Sequence, residues 1–192
     1  MGSAVESGTR GRTRRAILAA AAEVLARDRT ATLADIAAAA QVGRSTLHRY
    51  FADRDELTKA AVGDSYLTIQ QSIEDAAVGQ GTPLEAMRRL VAAIVASGDR
   101  LLFLYGDTRV LEGFDAGDAP DPVARSVLDL IRRGQAEGFF DPATRPEWIQ
   151  DVLWALAYSG CEAASRGVLP RHEVTAAVVQ MFENGIRRRP KE

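Results

Sequence analysis

Apolar residues recur at three- and four-residue intervals in nearly every segment of the chain, and no run alternates apolar with polar positions as a half-buried strand does. The period predicts an all-α protein of about nine helices. The first is expected from about Arg10 to Arg27, with Ile17, Ala21, Val24 and Leu25 on one face and Arg14 and Arg15 on the polar side. Thr32, followed by Asp35, has the form of a capping box for a second helix through "LADIAAAA". "QVG" breaks it, and a short third helix ends at Ala52-Asp53. Asp53 and Glu56 repeat the capping pattern ahead of a long fourth helix to about Ala77. "VGQGTP" is the strongest punctuation of the first half and supplies Thr82 as cap and Pro83 as the first residue of a fifth helix. A less regular sixth is expected over "DRLLFLYGDTRVLEGF", a loop over "DAGDAPDP", and a seventh helix from Pro122 that stops at Gly138. An eighth is expected from about Pro146 to Arg166, and a ninth opens at Pro170 and ends in "RRRPKE".

The most informative stretch is residues 32–51. Leu33, Ile36, Ala37, Ala40, Val42, Leu47 and Phe51 have the spacing of two short helices crossing over a tight turn. Ile36 and Ala40 are four apart on one helix, Leu47 and Phe51 four apart on the next, and Val42 plugs the corner. That is the apolar skeleton of a helix-turn-helix. With Leu47 and Phe51 facing inward, the helical step distributes Arg44, Ser45, Thr46, His48, Arg49 and Tyr50 over the remaining surface. All of these can donate to phosphates or base edges, and a helix of this size fits the major groove. On the residues alone, an exposed amphipathic helix with a solvated polar face fits equally well.

Charge sharpens the picture. The net charge of −2 over 192 residues conceals a basic head, because residues 9–51 hold eight arginines against three acidic residues. Residues 52–192 carry a net −6. A basic head on an acidic body suits one polyanion-facing module, although Arg clustering alone is weak support. Arg10, Arg12, Arg14 and Arg15 either extend that footprint as an arm along the DNA backbone or in the minor groove, or form a solvated, frayed helix start. The single cysteine, Cys161, excludes an intramolecular disulfide and a Cys-based zinc cluster and fits a reducing cytoplasm. It reads as a small apolar filler. The longest apolar runs, "LVAAIVA" and "VLWALAY", are far short of a membrane span, so no membrane association is expected. The opening Met-Gly lacks the hydroxyl of a myristoylation start, having Glu6 in its place, and residues 1–8 are expected to be a disordered lead-in.

The stretch "TLADIAAAAQVGRSTLHRYFADRDEL" resembles the DNA-binding signature of the TetR family of bacterial transcriptional regulators. The likeness is close over residues 32–57 and persists beyond them as architecture. It implies three helices for DNA binding and six for a dimerising, ligand-binding body, a layout that agrees with the helices expected from periodicity. Carried over by position, it implies that Arg44, Ser45, Thr46, His48 and Arg49 approach bases, while Thr32, Tyr50 and Arg54 hold phosphates. Two positions depart from the family pattern. Gly43 stands where a serine is frequent, which removes a cap hydroxyl at a cost of only a few tenths of a kcal/mol. His48 replaces a commoner tyrosine and can alter the preferred base or the pH dependence of binding.

The expected organisation is a head over residues 9–56 and an effector-binding, dimerising body over 57–192. Helix nine carries Val174, Val178, Met181 and Phe182 on one stripe, and helix eight carries Trp148, Val152 and Leu156 with small Ala155, Ser159 and Gly160. Both stripes can serve the chain's own core, and the resemblance favours a homodimer interface. The resemblance also implies a small apolar or aromatic effector held among helices five to eight. Its candidates are Met87, Val91, Phe103, Leu104, Tyr105, Leu128, Trp154 and Tyr158, residues that can equally be plain core.

Enzyme chemistry has little support. There is no G-x-S-x-G, no H-E-x-x-H and no phosphate-cradling glycine loop, and His48 and His172 are the only histidines. Asp115, Asp118 and Asp121 lack the glycine and terminal glutamate of a calcium loop. No catalytic residue, metal or cofactor is expected. The expected function is a ligand-released repressor that binds a palindromic operator as a dimer. The alternatives are an architectural or activating DNA-binding protein and, more remotely, a helical enzyme or scaffold.

Overall fold

The computed structural model describes residues 2–111 and 122–186, with side chains from Gly8 onward and without that of Thr108. Among these residues there are nine α-helices and no β-strand. They are α1 (Gly2–Arg27), α2 (Leu33–Ala39), α3 (Arg44–Tyr50), α4 (Arg54–Asp75), α5 (Pro83–Ala96), α6 (Gly98–Tyr105), α7 (Pro122–Ala136), α8 (Pro146–Ser165) and α9 (Val174–Ile186). Short 3-10 turns occupy Thr108–Leu111 and Arg171–Glu173. Among the described residues, no helix is long and apolar enough to cross a membrane.

The ends of the helices follow local chemistry. Thr32 and Thr82 close reciprocal capping boxes with Asp35 and Glu85, and Pro83 opens α5 as its spacing predicts. Asp53 accepts the Glu56 N–H at 2.8 Å, while the Glu56 carboxylate reaches back to the N–H of Ala52 at 2.7 Å. Three expectations are corrected. The backbone is helical from Gly2, so the segment expected as a disordered lead-in up to residue 8 continues the first helix; no proline interrupts it, and propagating an existing helix is cheap. The sixth helix stops at Tyr105 instead of running to residue 114, because the Asp107 carboxylate captures both the N–H and the guanidinium of Arg109 in a local turn that competes with helix. The ninth begins at Val174, after a 3-10 turn. The "DAGDAPDP" loop as far as Asp121, and the "RRRPKE" end, lie outside the described residues.

The chain divides into two compact units. Among the described residues the first holds 2–68 and 99–111, and the second 69–98 and 122–186. Residues 57–68 and 99–111 thus group with the helix-turn-helix, whereas the expected head ended at 56. In the first unit, Ile17, Leu18, Ala21 and Leu25 of α1 are buried, as are Ile36, Leu47, Phe51, Leu57 and Leu101–Leu104. In the second unit α5 packs on α7, α8 and α9, and α8 packs on α7 and α9. Arg88 and Glu183 make a forked ion pair there, at 2.6 and 3.1 Å, with the Glu183 side chain buried. Arg89 donates to the carbonyls of Ala76, Ala77 and Gln80, and Arg133 to those of Val78 and Gly79, so two arginines hold the turn after α4.

A tight approach closes the second unit at Gly134, where an added Cβ would sit 2.1 Å from Cδ2 of the fully buried Phe140 ring. The N–H groups of Phe139 and Phe140 both donate to the Gly134 carbonyl, at 2.8 and 3.0 Å, which pins the ring's backbone against that spot. Gly134→Ala is therefore expected to destabilise the protein by about 1–3 kcal/mol through overpacking. The urea unfolding midpoint measures it, and a midpoint equal to that of the parent chain would show that the ring yields freely.

Candidate nucleic-acid interface

The helix-turn-helix is assembled from the spacing that predicts it. Ile36, Leu47 and Phe51 are buried, while Ala40 and Val42 at the corner are half-buried instead of plugging it fully. The Val42 N–H donates to the Ala37 carbonyl at 3.0 Å and so folds the turn onto α2. The left-handed residue of this turn is Gln41, with φ 55, and not the glycine. Gly43 is instead the N-cap of α3 in extended backbone (φ −71, ψ 150), a conformation open to any residue. An added Cβ there would meet only Ser45 Oγ at 3.9 Å and Thr46 Oγ1 at 4.0 Å, both ordinary contacts. Gly43→Ser should therefore supply the missing cap hydroxyl without strain and raise stability by a few tenths of a kcal/mol. A small rise in melting temperature checks this, and a fall would show that the serine cannot reach the N–H groups of α3.

The outward face of α3 carries a dense set of donors. Arg44, Ser45, His48 and Arg49 are exposed, and Thr46 and Tyr50 are half-buried on the same two turns. No acidic residue lies within α3, and its first turn presents free N–H groups, which favours anions. Such a surface can hold a phosphate backbone and present two guanidinium forks to base edges.

Two residues expected at phosphates are engaged within the chain. Thr32 directs both its N–H and its hydroxyl to the Asp35 carboxylate, each at 2.7 Å. Those two donors hold the Asp35 carboxyl below its usual value. Arg54 donates to the carbonyls of Ala31 and Arg29 and so staples the start of α4 to the loop between α1 and α2. Arg29, which sequence reasoning missed, donates in turn to the carbonyls of Leu102 and Phe103 at 3.0 and 2.8 Å, near the C-terminus of α6. Its guanidinium carbon lies 5.4 Å from the centre of the Phe103 ring. Nothing in the sequence signals this linkage, because its acceptors are backbone carbonyls remote along the chain.

Residues 17–61 match the family model described as "Bacterial regulatory proteins, tetR family". The chain is 39% identical over 188 residues to the HTH-type transcriptional repressor LfrR of Mycolicibacterium smegmatis, covering 95% of this chain and 94% of that protein. This chain belongs to the TetR family. It is also 28% identical over 173 residues to the HTH-type transcriptional regulator NfxB of Pseudomonas aeruginosa, with 89% of this chain and 92% of that protein covered. The crystal structure of LfrR in complex with proflavine superimposes with a TM-score of 0.71 at 36% identity, covering 94% of this chain and 99% of that one. As a TetR-family member, the chain is a transcriptional regulator with an N-terminal DNA-binding helix-turn-helix.

The TetR-family body places the remaining candidates unevenly. On α8, Ile149, Leu153, Ala157 and Cys161 are buried, while Trp148 and Ala155 are exposed and Val152 and Leu156 half-buried on a second apolar stripe that also carries exposed Ser159. Trp148 is 62% exposed, and on α9 Met181 is 66% exposed. Val174, Val178 and Phe182, expected at the dimer face, are buried in the unit's own core. A Cβ on Gly160 would lie 2.9 Å from Val178 and 3.0 Å from Val174, so the small residues of α8 admit α9 of the same chain. Among the effector candidates, Met87 and Val91 are fully buried, and Leu128, Trp154 and Tyr158 are half-buried, all in the second unit. Phe103 and Leu104 belong to the core of the first unit, and Tyr105 is 52% exposed on it. A hollow of about 250 Å³ in the second unit is lined by Ile73, Ala77, Val78 and Val123 with Glu74 and Ser126, and by none of the eight expected effector residues.

Proposed function

We propose that this chain is a ligand-released repressor that binds a palindromic operator as a two-fold dimer in the cytoplasm. The observation that carries the reading is the donor face of α3, offered to solvent on a fully buried Leu47–Phe51 skeleton. In this reading residues 9–56 form the DNA-reading head. Arg44, Ser45, Thr46, His48 and Arg49 meet base edges, and Tyr50 meets a phosphate. The second copy docks on the apolar stripe of exposed Trp148 and Ala155 and half-buried Val152 and Leu156, with exposed Met181, because a lone helix-turn-helix needs a partner to read two half-sites.

The effector is a small aromatic molecule taken up by the second unit, with half-buried Leu128, Trp154 and Tyr158 as lining. Similarity to a repressor crystallised with proflavine supports this class. The effector acts by its higher affinity for a dimer whose heads are wrongly spaced for successive major grooves. The test is selection of duplexes from a random pool, followed by titration of the enriched duplex with and without proflavine. An inverted repeat with half-sites about one helical turn apart, bound saturably and released by proflavine, is the expected result. Enrichment of no common sequence would overturn the reading. Unchanged occupancy with proflavine would remove that probe from the proposed effector class.

A further inference from the structure

Arg10 and Arg14, four residues apart on α1, project from one side of that helix. With Gly11, Arg49 and Tyr50 they line an open hollow of about 370 Å³ in the first unit. The Arg14 guanidinium carbon stands 5.5 Å from the centre of the Phe51 ring, and that of Arg49 stands 5.8 Å from the centre of the Tyr50 ring. Aromatic faces at the C-terminal end of α3 thus help to fix two of the three cations. Arg10, Arg14 and Arg49 form no ion pair with any described carboxylate, and no acidic residue lines the hollow. Three like charges facing one space repel one another, a cost relieved when an anion enters between them. The neighbouring arginines behave differently: Arg12 donates to Thr9 Oγ1 at 3.2 Å, and neither Arg12 nor Arg15 borders the hollow.

Resting on the reading of α3 as the operator-reading helix, we infer that this hollow is a phosphate site for the DNA backbone flanking the bases that α3 contacts. Arg10 and Arg14 supply guanidinium forks and Tyr50 its hydroxyl, the donor types that suit phosphodiester oxygens, while Arg49, which reads a base edge, adds its positive charge at the rim. Duplex DNA is the source of the phosphate because the four glycine and arginine positions of the rim are exposed and the hollow is open, so an anion fixed to a large surface enters without burial. One of its donors, Tyr50, also sits on the recognition helix itself. The site splits the basic N-terminus into two classes, with Arg10 and Arg14 inside the footprint and Arg12 and Arg15 outside it.

The experiment compares the full chain, Arg10→Ala/Arg14→Ala and Arg12→Ala/Arg15→Ala on the duplex enriched from the random pool, over a range of salt concentrations. Each lost phosphate contact lowers the steepness of log affinity against log salt by about 0.9, so a two-fold dimer losing one per protomer loses about 1.8. Only Arg10→Ala/Arg14→Ala should show that loss, with the melting temperatures of all three proteins alike. Equal losses in the two variants would show diffuse charge instead of a site and overturn the inference, as would no loss in either. So would thermal stabilisation by inorganic phosphate that depends on Arg10 and Arg14 while the DNA salt slope does not, since the hollow would then hold a free anion. If the parent chain enriches no duplex, the operator reading falls and this inference with it. An enriched duplex with an unchanged slope removes the inference alone.

Discussion

Val178→Asp is expected to unfold the second unit, whereas Met181→Asp is expected to leave it folded and to abolish self-association. The two residues are three apart on α9, yet Val178 is 4% exposed and Met181 66% exposed. Val178 packs against α8 so closely that Gly160 has no room for a side chain. A carboxylate introduced there is buried among apolar contacts, and an uncompensated buried charge costs about 3–5 kcal/mol. Against a typical total stability of about 5–15 kcal/mol, that removes much of the margin. Met181 has no such burial, so its replacement should shift stability by less than about 0.5 kcal/mol. Thermal melts followed by circular dichroism separate the two outcomes, and sedimentation reads the oligomeric state. A folded, monomeric Val178→Asp protein would return Val178 to the interface. A dimeric Met181→Asp protein would take the proposed interface away from this face of α9.

The contrast shows which information helical periodicity carries. The spacing of Leu47 and Phe51 predicts a buried face because that helix has one apolar side, and the structure buries it. The capping boxes at Thr32–Asp35 and Thr82–Glu85 are equally legible, since every partner lies within three residues. On α8 the residues 149, 153, 157 and 161 form one apolar stripe and 148, 152, 155 and 156 another, and periodicity cannot say which faces the chain's own core. The choice rests on where α9 lies, and that depends on Gly160. The grouping of 57–68 and 99–111 with the head is hidden for a similar reason. Arg29 reaches carbonyls 73 and 74 residues away, and a carbonyl acceptor leaves no trace in residue identity. The hollow at Arg10 and Arg14 is half legible: the arginines stand out in the sequence, but their assignment to one side with Arg49 and Tyr50 requires the packing of α1 on the head.

Arg44→Ala and Arg54→Ala are expected to weaken operator binding by different routes. Arg44 is exposed at the start of α3, where a fork to a base or phosphate is available, so its loss should cost about 1–3 kcal/mol of binding, roughly 5- to 150-fold, with no change in melting temperature. Arg54 is half-buried, and its guanidinium satisfies the carbonyls of Ala31 and Arg29. Those charge-assisted bonds are worth about 1.5–3 kcal/mol each, so Arg54→Ala should lower the melting temperature of the head markedly. Arg54→Lys should not restore it, because one ammonium cannot reproduce a fork spanning two carbonyls. The affinity of Arg54→Ala should recover when binding is measured well below its melting temperature, while that of Arg44→Ala stays low at every temperature. A reduced salt slope in folded Arg54→Ala protein would instead place this side chain at a phosphate, and the staple to Ala31 and Arg29 would then be the form the residue takes only away from DNA.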